Sequence, residues 1–344
     1  PAGEKHFILY NPPVVNRELG IRRSAVLEAR RIAGMFIASD VQTIVFARSR
    51  LLTEVLLTYL RDFAISQGKP PESVRGYRGG YLPLQRREIE RGLREGTVRA
   101  VVTTNALELG IDIGQLSACV MTGYPGTIAS ALQQAGRAGR KQDLSVAVMV
   151  ASSSALDQYV VLHPQYFFGR TPEEALINPD NLLIAASHVR CAAFELPFQE
   201  GEEFGRFNGL AQLLEFLEQE GVLHRSGQAW YWMSEEYPAN EISLRTTAAS
   251  NFVVVDTTAE PRVIGEVDAF SAPMLIHEGA IYIHEAQQYH VDRLDWQEKK
   301  AYVHAVDVDY YTDADLAVNV RVIHVFAQED RGRTRAGHGE VLVS

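Results

Sequence analysis

Cysteine is scarce in this sequence, and long apolar runs are missing. Cys119 and Cys191 are the only cysteines among 344 residues, too few for a disulfide framework or a four-ligand zinc site. No apolar run approaches the roughly 20 residues of a membrane span, and no charged-then-apolar signal pattern opens the sequence. We therefore expect two buried thiols, a reducing compartment and a cytoplasmic, nucleoid-associated protein with no membrane partner.

Sequence signatures of self-sufficient nucleotide sites are absent as well. There is no G-x-x-x-x-G-K-[ST] phosphate loop, no Asp-Glu dyad for Mg²⁺ and no G-x-G-x-x-G after a strand. The last absence argues against a nicotinamide or flavin enzyme. The ten histidines include no H-E-x-x-H pattern, so we expect no metal site.

Charge is distributed unevenly along the sequence. Residues 1–165 carry 20 Lys and Arg against 14 Asp and Glu, whereas residues 166–344 carry 13 against 29. The formal net charge of −10 therefore does not exclude nucleic acid, because a local basic surface is enough to bind phosphates. Any polyanion is expected along the first part.

Strand and helix patterns alternate over the first 150 residues, which predicts a parallel sheet covered on both faces. Strands are expected at 43–47, 74–77, 100–103, 118–122 and 145–151, and helices at 18–38, 51–63 and 82–94. Ligands bind such sheets outside the carboxyl ends of the strands. The fold class is thus α/β in this part.

The pattern changes after about residue 165. Helices at 182–194 and 210–220, followed by a hairpin at 221–232 turning at Ser226-Gly227, favour a winged helix over a helical linker with one hairpin. Short apolar stretches from residue 237 onward predict a β-rich sandwich or small barrel; they lie at 252–255, 263–267, 280–283, 302–306 and 318–326. We expect domains at 1–165, 166–236 and 237–344, and leave open whether the third is complete.

Two arginines stand three residues apart in QQAGRAGR, residues 133–140. A glycine precedes each, so a guanidinium can approach a polyphosphate closely. The planar, permanently charged fork of Arg137 and Arg140 suits phosphoryl oxygens and the charge that develops on a transferred γ-phosphoryl. A solvated basic helix end is the alternative.

A second motif, TTNALELGID, follows an apolar strand. The hydroxyls of Thr103 and Thr104, with early backbone N–H groups, can hold an anion at the strand end. Gly110 permits a sharp turn, and the carboxylate of Asp112 could accept from a ribose hydroxyl or orient an arginine. A capped helix is an equally good interpretation of this motif alone.

Arg48 and Arg78 each follow a predicted strand. Both lie on strand-to-helix turns, and glycines flank the loop of Arg78, so we predict that a nucleic-acid phosphate docks against each. The other arginines of 86–99 are expected to be mostly solvated helix charges paired with glutamates.

Together these motifs resemble the second RecA-like lobe of a superfamily 2 helicase. More narrowly, YRGGYLPLQRREIERGL, TTNALELGIDIG, GYPGTIAS and QQAGRAGR resemble the RecQ-like Hrq and mitomycin-repair-factor helicases. The resemblance continues through HPQYFFGRTPEEA, INPDN, RCAAFELPF, VIGEVDAF, HEGAIYIHE and VDVDYYT. It therefore covers nearly the whole sequence.

The resemblance implies an ATP-driven 3′-to-5′ translocase on single-stranded DNA that acts in DNA repair. It also implies that ATP and Mg²⁺ are bound mainly by a first RecA-like lobe, so this chain alone is expected to lack ATPase activity. A zinc module is expected only beyond Ser344.

The resemblance also assigns roles to single residues. Arg137 and Arg140 would sense the γ-phosphate, Gln133, Gly110 and Asp112 would face the nucleotide, and Thr104 would contact the DNA backbone. One departure is Ala131-Leu132, where the family pattern has a bulkier aromatic. The rival interpretation is a DNA- or protein-binding module without an ATP cycle.

Overall fold

Strands and helices alternate in the first part of the protein. The computed structural model describes residues 3–111, 113–114, 116–139, 144–175, 178, 181–242 and 250–344. The strands are β1 (Lys5–Tyr10), β2 (Val14–Asn16), β3 (Ile21–Arg22), β4 (Thr43–Phe46), β5 (Val74–Tyr77), β6 (Ala100–Thr103), β7 (Ala118–Thr122) and β8 (Ser145–Val150). The helices are α1 (Ala25–Ala38), α2 (Arg50–Ser66), α3 (Pro83–Glu95), α4 (Ile128–Ala135), α5 (Ala155–Leu162) and α6 (Pro164–Phe168).

Six of these strands form one parallel sheet in the order β1-β8-β7-β4-β6-β5. Successive side chains of a strand point to opposite faces, so Ile44 and Phe46 pack in one core and Val45 and Ala47 in the other. The first core includes residues of α3 and α4, and the second includes residues of α1 and α2. The predicted doubly covered parallel sheet is confirmed.

Two predictions for this sheet need correction. The helix expected at 18–38 begins at Ala25, because β2 and β3 form a small antiparallel pair before it. Strand β1 was not predicted, and it pairs in parallel with β8 from Lys5 opposite Ser145 to Tyr10 opposite Val150. β1 is an edge strand, so its residues are only half-buried or exposed, unlike those of the inner strands β4, β6 and β7.

The second part has the two helices and the hairpin that the sequence predicted. Its elements are α7 (Leu182–Glu195), β9 (Phe198–Gln199), α8 (Leu210–Gln219), β10 (Leu223–Ser226) and β11 (Ala229–Trp232). The hairpin turns at Gly227-Gln228, one residue later than predicted, and Gly227 has φ +64°. Positive φ at the first central residue suits a tight hairpin turn. Trp230 is buried against α8, so it packs the core and offers no stacking surface.

The third part is rich in strands. Its elements are β12 (Asn251–Asp256), β13 (Arg262–Asp268), α9 (Ala272–Leu275), β14 (Ile281–His284), β15 (Gln287–Asp295), β16 (Lys300–Val306), β17 (Val320–Arg331) and β18 (Thr334–Val343). Five strands form a sheet in the order β13-β12-β16-β15-β14. The sheet curls, so that its two outer strands approach each other. A Cβ on Gly265 of β13 would lie 3.2 Å from the His284 ring of β14. This is the barrel-like unit predicted, with β17 and β18 as a separate exposed hairpin.

The burial of the cysteines and the apolar character of the helices can be compared with the sequence predictions. Cys119 is buried in β7, whereas Cys191 is half-buried, so the prediction of two buried thiols is half right. Among the described residues, no helix combines the length and the apolar character that crossing a membrane requires.

Candidate nucleic-acid and nucleotide site

A cavity of about 320 Å³ lies at the carboxyl ends of β4, β6 and β7. The chain leaves β4 into α2 on one face of the sheet and leaves β7 into α4 on the other. Such a switch point opens a crevice where α/β sheets bind ligands. The lining residues are Phe46, Ala47, Arg48, Thr104, Asn105, Thr122, Gly123, Pro125, Ser130 and Gln134.

Arg48 brings positive charge to this cavity. Its side chain is 52% exposed, and Nη1 lies 3.8 Å from Oδ1 of the buried Asp157. That separation is too long for a hydrogen bond, so the donors of Arg48 are available to an anion. Gly123 leaves room for it, since a Cβ there would lie 3.0 Å from Cδ of Arg48. Arg48 therefore lies on the turn after β4 and lines the cavity, and its contact with nucleic acid stays a prediction.

Of the two threonines at the carboxyl end of β6, Thr104 faces the cavity. Thr104 caps the short 3₁₀ turn Asn105–Leu107 and its hydroxyl accepts from the N–H of Ala106 at 3.4 Å. Accepting leaves the hydroxyl proton for another acceptor, such as a phosphate oxygen. Thr103 is fully buried in β6. Its predicted contact with nucleic acid is wrong, because side chains alternate along the strand and this one points inward.

Glu108 joins the two predicted motifs, and the sequence analysis missed it. Its Oε2 accepts from the Ser130 hydroxyl at 2.7 Å and from the Gln134 amide at 3.0 Å. Ser130 and Gln134 lie on α4 and line the cavity. A lone acidic residue in the apolar stretch A-L-E-L was the available signal. Gln133, the predicted opening residue of the motif, is exposed on the same helix.

Arg137 points inward and holds the turn that follows Glu108. Its Nε and Nη2 donate to the carbonyl oxygen of Glu108 at 2.8 and 2.6 Å, and Nη1 donates to that of Ile111 at 2.8 Å. The residue is 9% exposed. The prediction that it contacts the γ-phosphate directly is therefore wrong for this conformation. Arg137 instead positions the turn that contains Gly110.

Three other predictions fall on or beside this turn. Gly110 has φ +77°, which is the sharp turn that the sequence indicated. Asp112 and Arg140 lie outside the described residues. The nucleotide-facing roles of Gly110, Asp112 and Gln133, and the γ-phosphate role of Arg140, stay predictions.

Arg78 is the clearest error of the sequence analysis. Its side chain is 1% exposed, and Nε donates to Oε1 of Glu54 at 2.8 Å. Its Nη2 donates to the Tyr282 hydroxyl at 2.9 Å. The glycine-flanked loop is covered by β14 of the third part, so no DNA phosphate can reach this guanidinium.

The N-terminus of α4 is already capped by two side chains. Thr127 accepts from the N–H of Ser130 at 3.0 Å, and Glu173 accepts from the N–H of Ile128 at 2.7 Å and that of Ala129 at 3.2 Å. The bonds from the backbone, that of Ile128 first, lower the pKa of Glu173. This carboxylate ties the segment after α6 to the edge of the cavity.

Comparison with known proteins agrees with this arrangement. Residues 28–142 match the helicase conserved C-terminal domain, and residues 177–247 match the winged helix domain of the ATP-dependent helicase HRQ1. The uncharacterized ATP-dependent helicase YprA of Bacillus subtilis is 54% identical over 346 residues, covering 100% of this chain and 46% of that protein. This chain belongs to the Hrq1 and MrfA helicase family.

Other family members extend the comparison. ATP-dependent helicase HRQ1 of Saccharomyces cerevisiae is 35% identical over 325 residues, with 91% of this chain and 30% of that protein covered. The crystal structure of the DUF1998 helicase MrfA bound to DNA superposes with a TM-score of 0.84 at 54% identity, covering 100% of this chain and 46% of that one. The MrfA structure with DNA and AMPPNP gives 0.81 at 55% identity, covering 94% and 45%. This chain thus spans less than half the length of these helicases.

Proposed function

We propose that this chain is the C-terminal part of an ATP-dependent 3′-to-5′ DNA helicase that acts in DNA repair. The observation that carries the proposal is the cavity at the carboxyl ends of β4 and β6, where Arg48 and Thr104 face one opening. A cation and a hydroxyl donor at one opening suit the oxygens of a phosphate backbone. MrfA, a relative of known structure, binds DNA and AMPPNP, which supports both ligands for this chain.

Glu108 supplies a physical connection between the two proposed ligands. Its side chain holds Ser130 and Gln134 at the DNA cavity, and its carbonyl oxygen accepts from Arg137. A shift of the Glu108 turn must therefore change both hydrogen-bond sets. This shared residue can couple occupation of the cavity to the position of the arginine motif.

The nucleotide itself is proposed to lie between this lobe and a first RecA-like lobe. That lobe would grip ATP and Mg²⁺ with its phosphate loop and Asp-Glu box, while Arg140 meets the γ-phosphate when the lobes close. Gly110, Asp112 and Gln133 would line the nucleotide side. We also propose domain boundaries near residues 165 and 236, a zinc module in the longer protein, and a cytoplasmic, nucleoid-associated location.

Binding of single-stranded DNA tests the cavity directly. Fluorescence anisotropy with a labelled oligonucleotide should show weaker binding for Arg48→Ala, and a log–log salt slope reduced by roughly 0.7, the value for one lost phosphate contact. Arg87→Ala is the matched control, because Arg87 is exposed on α3, away from the cavity. Equal losses in the two variants would contradict a specific site at Arg48.

A further inference from the structure

Two histidines and an aspartate come together on β15 and β16, two neighbouring inner strands of the curled sheet. His290 of β15 lies opposite His304 of β16. Nδ1 of His290 is 3.1 Å from Oδ1 of Asp292, and Nδ1 of His304 is 2.8 Å from Oδ2 of the same carboxylate. One ligand atom from each residue lies within 4.8 Å of the other two.

The backbone explains why these three side chains meet. Residues directly opposite on antiparallel strands have Cβ atoms about 5 Å apart, within reach of a common ion for two imidazoles. The register of β15 and β16 shifts between Val291 and Arg293, which makes Asp292 the bulged residue. A bulge re-aims a side chain, and here the carboxylate lies between the two rings.

The donor set fits a divalent transition metal. Imidazole nitrogen suits zinc, and a carboxylate oxygen completes a three-ligand set with one position open to water. Zinc bonds of about 2.0–2.2 Å in tetrahedral geometry put ligand atoms roughly 3.3 Å apart. The two nitrogen–oxygen distances of 3.1 and 2.8 Å, each to a different oxygen of Asp292, are close to that separation.

Access also favours a cation here. The side chains of His290, Asp292 and His304 are 37, 43 and 43% exposed, so an ion and its water can reach them.

We propose that His290, Asp292 and His304 form a zinc-binding site that cross-links β15 and β16. The site was not predicted from the sequence, because strand pairing and the bulge bring the residues together. The site is independent of the proposed nucleotide and DNA contacts, which lie on the parallel sheet. Bound zinc would cross-link the two neighbouring strands. Without it, the two imidazoles share the Asp292 carboxylate through hydrogen bonds.

Calorimetric titration of the chelator-treated chain with zinc chloride tests the proposal. We expect one zinc ion per chain, and affinity reduced by at least about tenfold in His304→Ala and in Asp292→Asn. His224→Ala is the matched control, since His224 is an exposed strand histidine of β10. Magnesium chloride should give no binding to these imidazoles.

A second measurement separates loss of the site from loss of the fold. Zinc should raise the melting temperature of the wild-type chain and of His224→Ala, because a ligand that binds only the folded state stabilises it. It should leave His304→Ala unchanged, with all three proteins melting alike in chelator. Zinc binding that is equal in wild type and His304→Ala, or lost equally in His224→Ala, would overturn the proposal.

Discussion

Nε of Arg78 donates a hydrogen bond of 2.8 Å to Oε1 of Glu54, and the two side chains are only 1 and 2% exposed. The Tyr81 hydroxyl donates to the same carboxylate oxygen at 2.9 Å. Arg78 also donates to the Tyr282 hydroxyl and, at 3.3 Å, to the carbonyl of Ile283 on β14. The parallel-sheet lobe and the curled sheet therefore share one buried charged network.

Replacing Arg78 should destabilise the protein more than it affects DNA binding. Arg78→Ala leaves the carboxylate of Glu54 buried without its counter-charge, and breaking such a pair typically costs about 3–5 kcal/mol. Urea unfolding monitored by circular dichroism measures the free energy of unfolding. Arg87→Ala, at an exposed position on α3, should change it by no more than about 0.5 kcal/mol. An Arg78→Ala protein with unchanged stability and weaker DNA binding would restore the original prediction.

Acid should lower the free energy of unfolding through His284, which lies beside Arg78 in the buried network between the parallel sheet and the curled sheet. Burial, with Arg78 and then Arg262 nearby, lowers the pKa of His284 to about 3. The unfolded chain takes up this proton near pH 6.5 and the folded one does not, so stability present above pH 6.5 is lost as pH falls toward 3.

The size of that effect follows from the two pKa values. Between pH 7 and pH 5 His284 should cost about 2 kcal/mol of unfolding free energy, and His284→Gln should lose that much less than wild type over this interval. Urea unfolding at the two pH values gives the difference, and carboxylate titrations cancel because both proteins share them. Identical pH dependence in wild type and variant would show that His284 is protonated in the folded state.

Gly123 lies in crowded surroundings beside the cavity at the carboxyl ends of β4, β6 and β7, and we expect it to tolerate substitution poorly. Its φ is +87°, and a Cβ would lie 3.0 Å from Cδ of Arg48 and from Oδ2 of Asp157. Gly123→Ala should therefore lower the free energy of unfolding by more than the roughly 1–2 kcal/mol that positive φ alone costs an alanine. Gly68→Ala is the control, since Gly68 has φ +71° with no atom within 4 Å of its Cβ position. Equal losses would mean that Arg48 and Asp157 move aside freely.

We expect strand separation to use the winged helix, through the hairpin of β10 and β11, or parts of the longer protein outside this chain. The 18 residues between Gly114 and Gln133 hold β7, a turn and the start of α4, which leaves no room for a long strand-splitting hairpin there. Deleting the hairpin turn Gly227-Gln228 in the chain joined to a first lobe should reduce the rate of duplex unwinding more than the rate of ATP hydrolysis. Parallel loss of both rates would refute the assignment.

The sequence predicted the parallel sheet well because its inner strands are apolar runs. Ala100–Thr103, Ala118–Thr122 and the edge strand Val74–Tyr77 have the same bounds in the sequence prediction and in the structure. The long strand β15 was missed because polar residues interrupt its apolar pattern, whereas β1 was missed although Phe7–Tyr10 is apolar.

The positions of candidate site residues were predictable only where they depend on neighbouring residues in the sequence. Arg48 and Thr104 were placed correctly because each directly follows a buried strand. Arg78 was misjudged because its partners Tyr282 and Ile283 lie more than 200 residues away in the sequence. No local pattern shows that another domain covers a glycine-flanked loop, and none shows that Arg137 turns back toward the Glu108 carbonyl.

The central claim is that this lobe supplies Arg140 to a nucleotide gripped by a partner lobe. ATP hydrolysis stimulated by single-stranded DNA tests it most directly, measured for the chain alone, for the chain joined to its first RecA-like lobe, and for the joined protein with Arg140→Ala. We expect no turnover from the chain alone, DNA-stimulated turnover when joined, and a loss of at least about 10³-fold in Arg140→Ala. Turnover that survives in the Arg140→Ala protein would contradict the claim and leave a DNA- or protein-binding module without an ATP cycle.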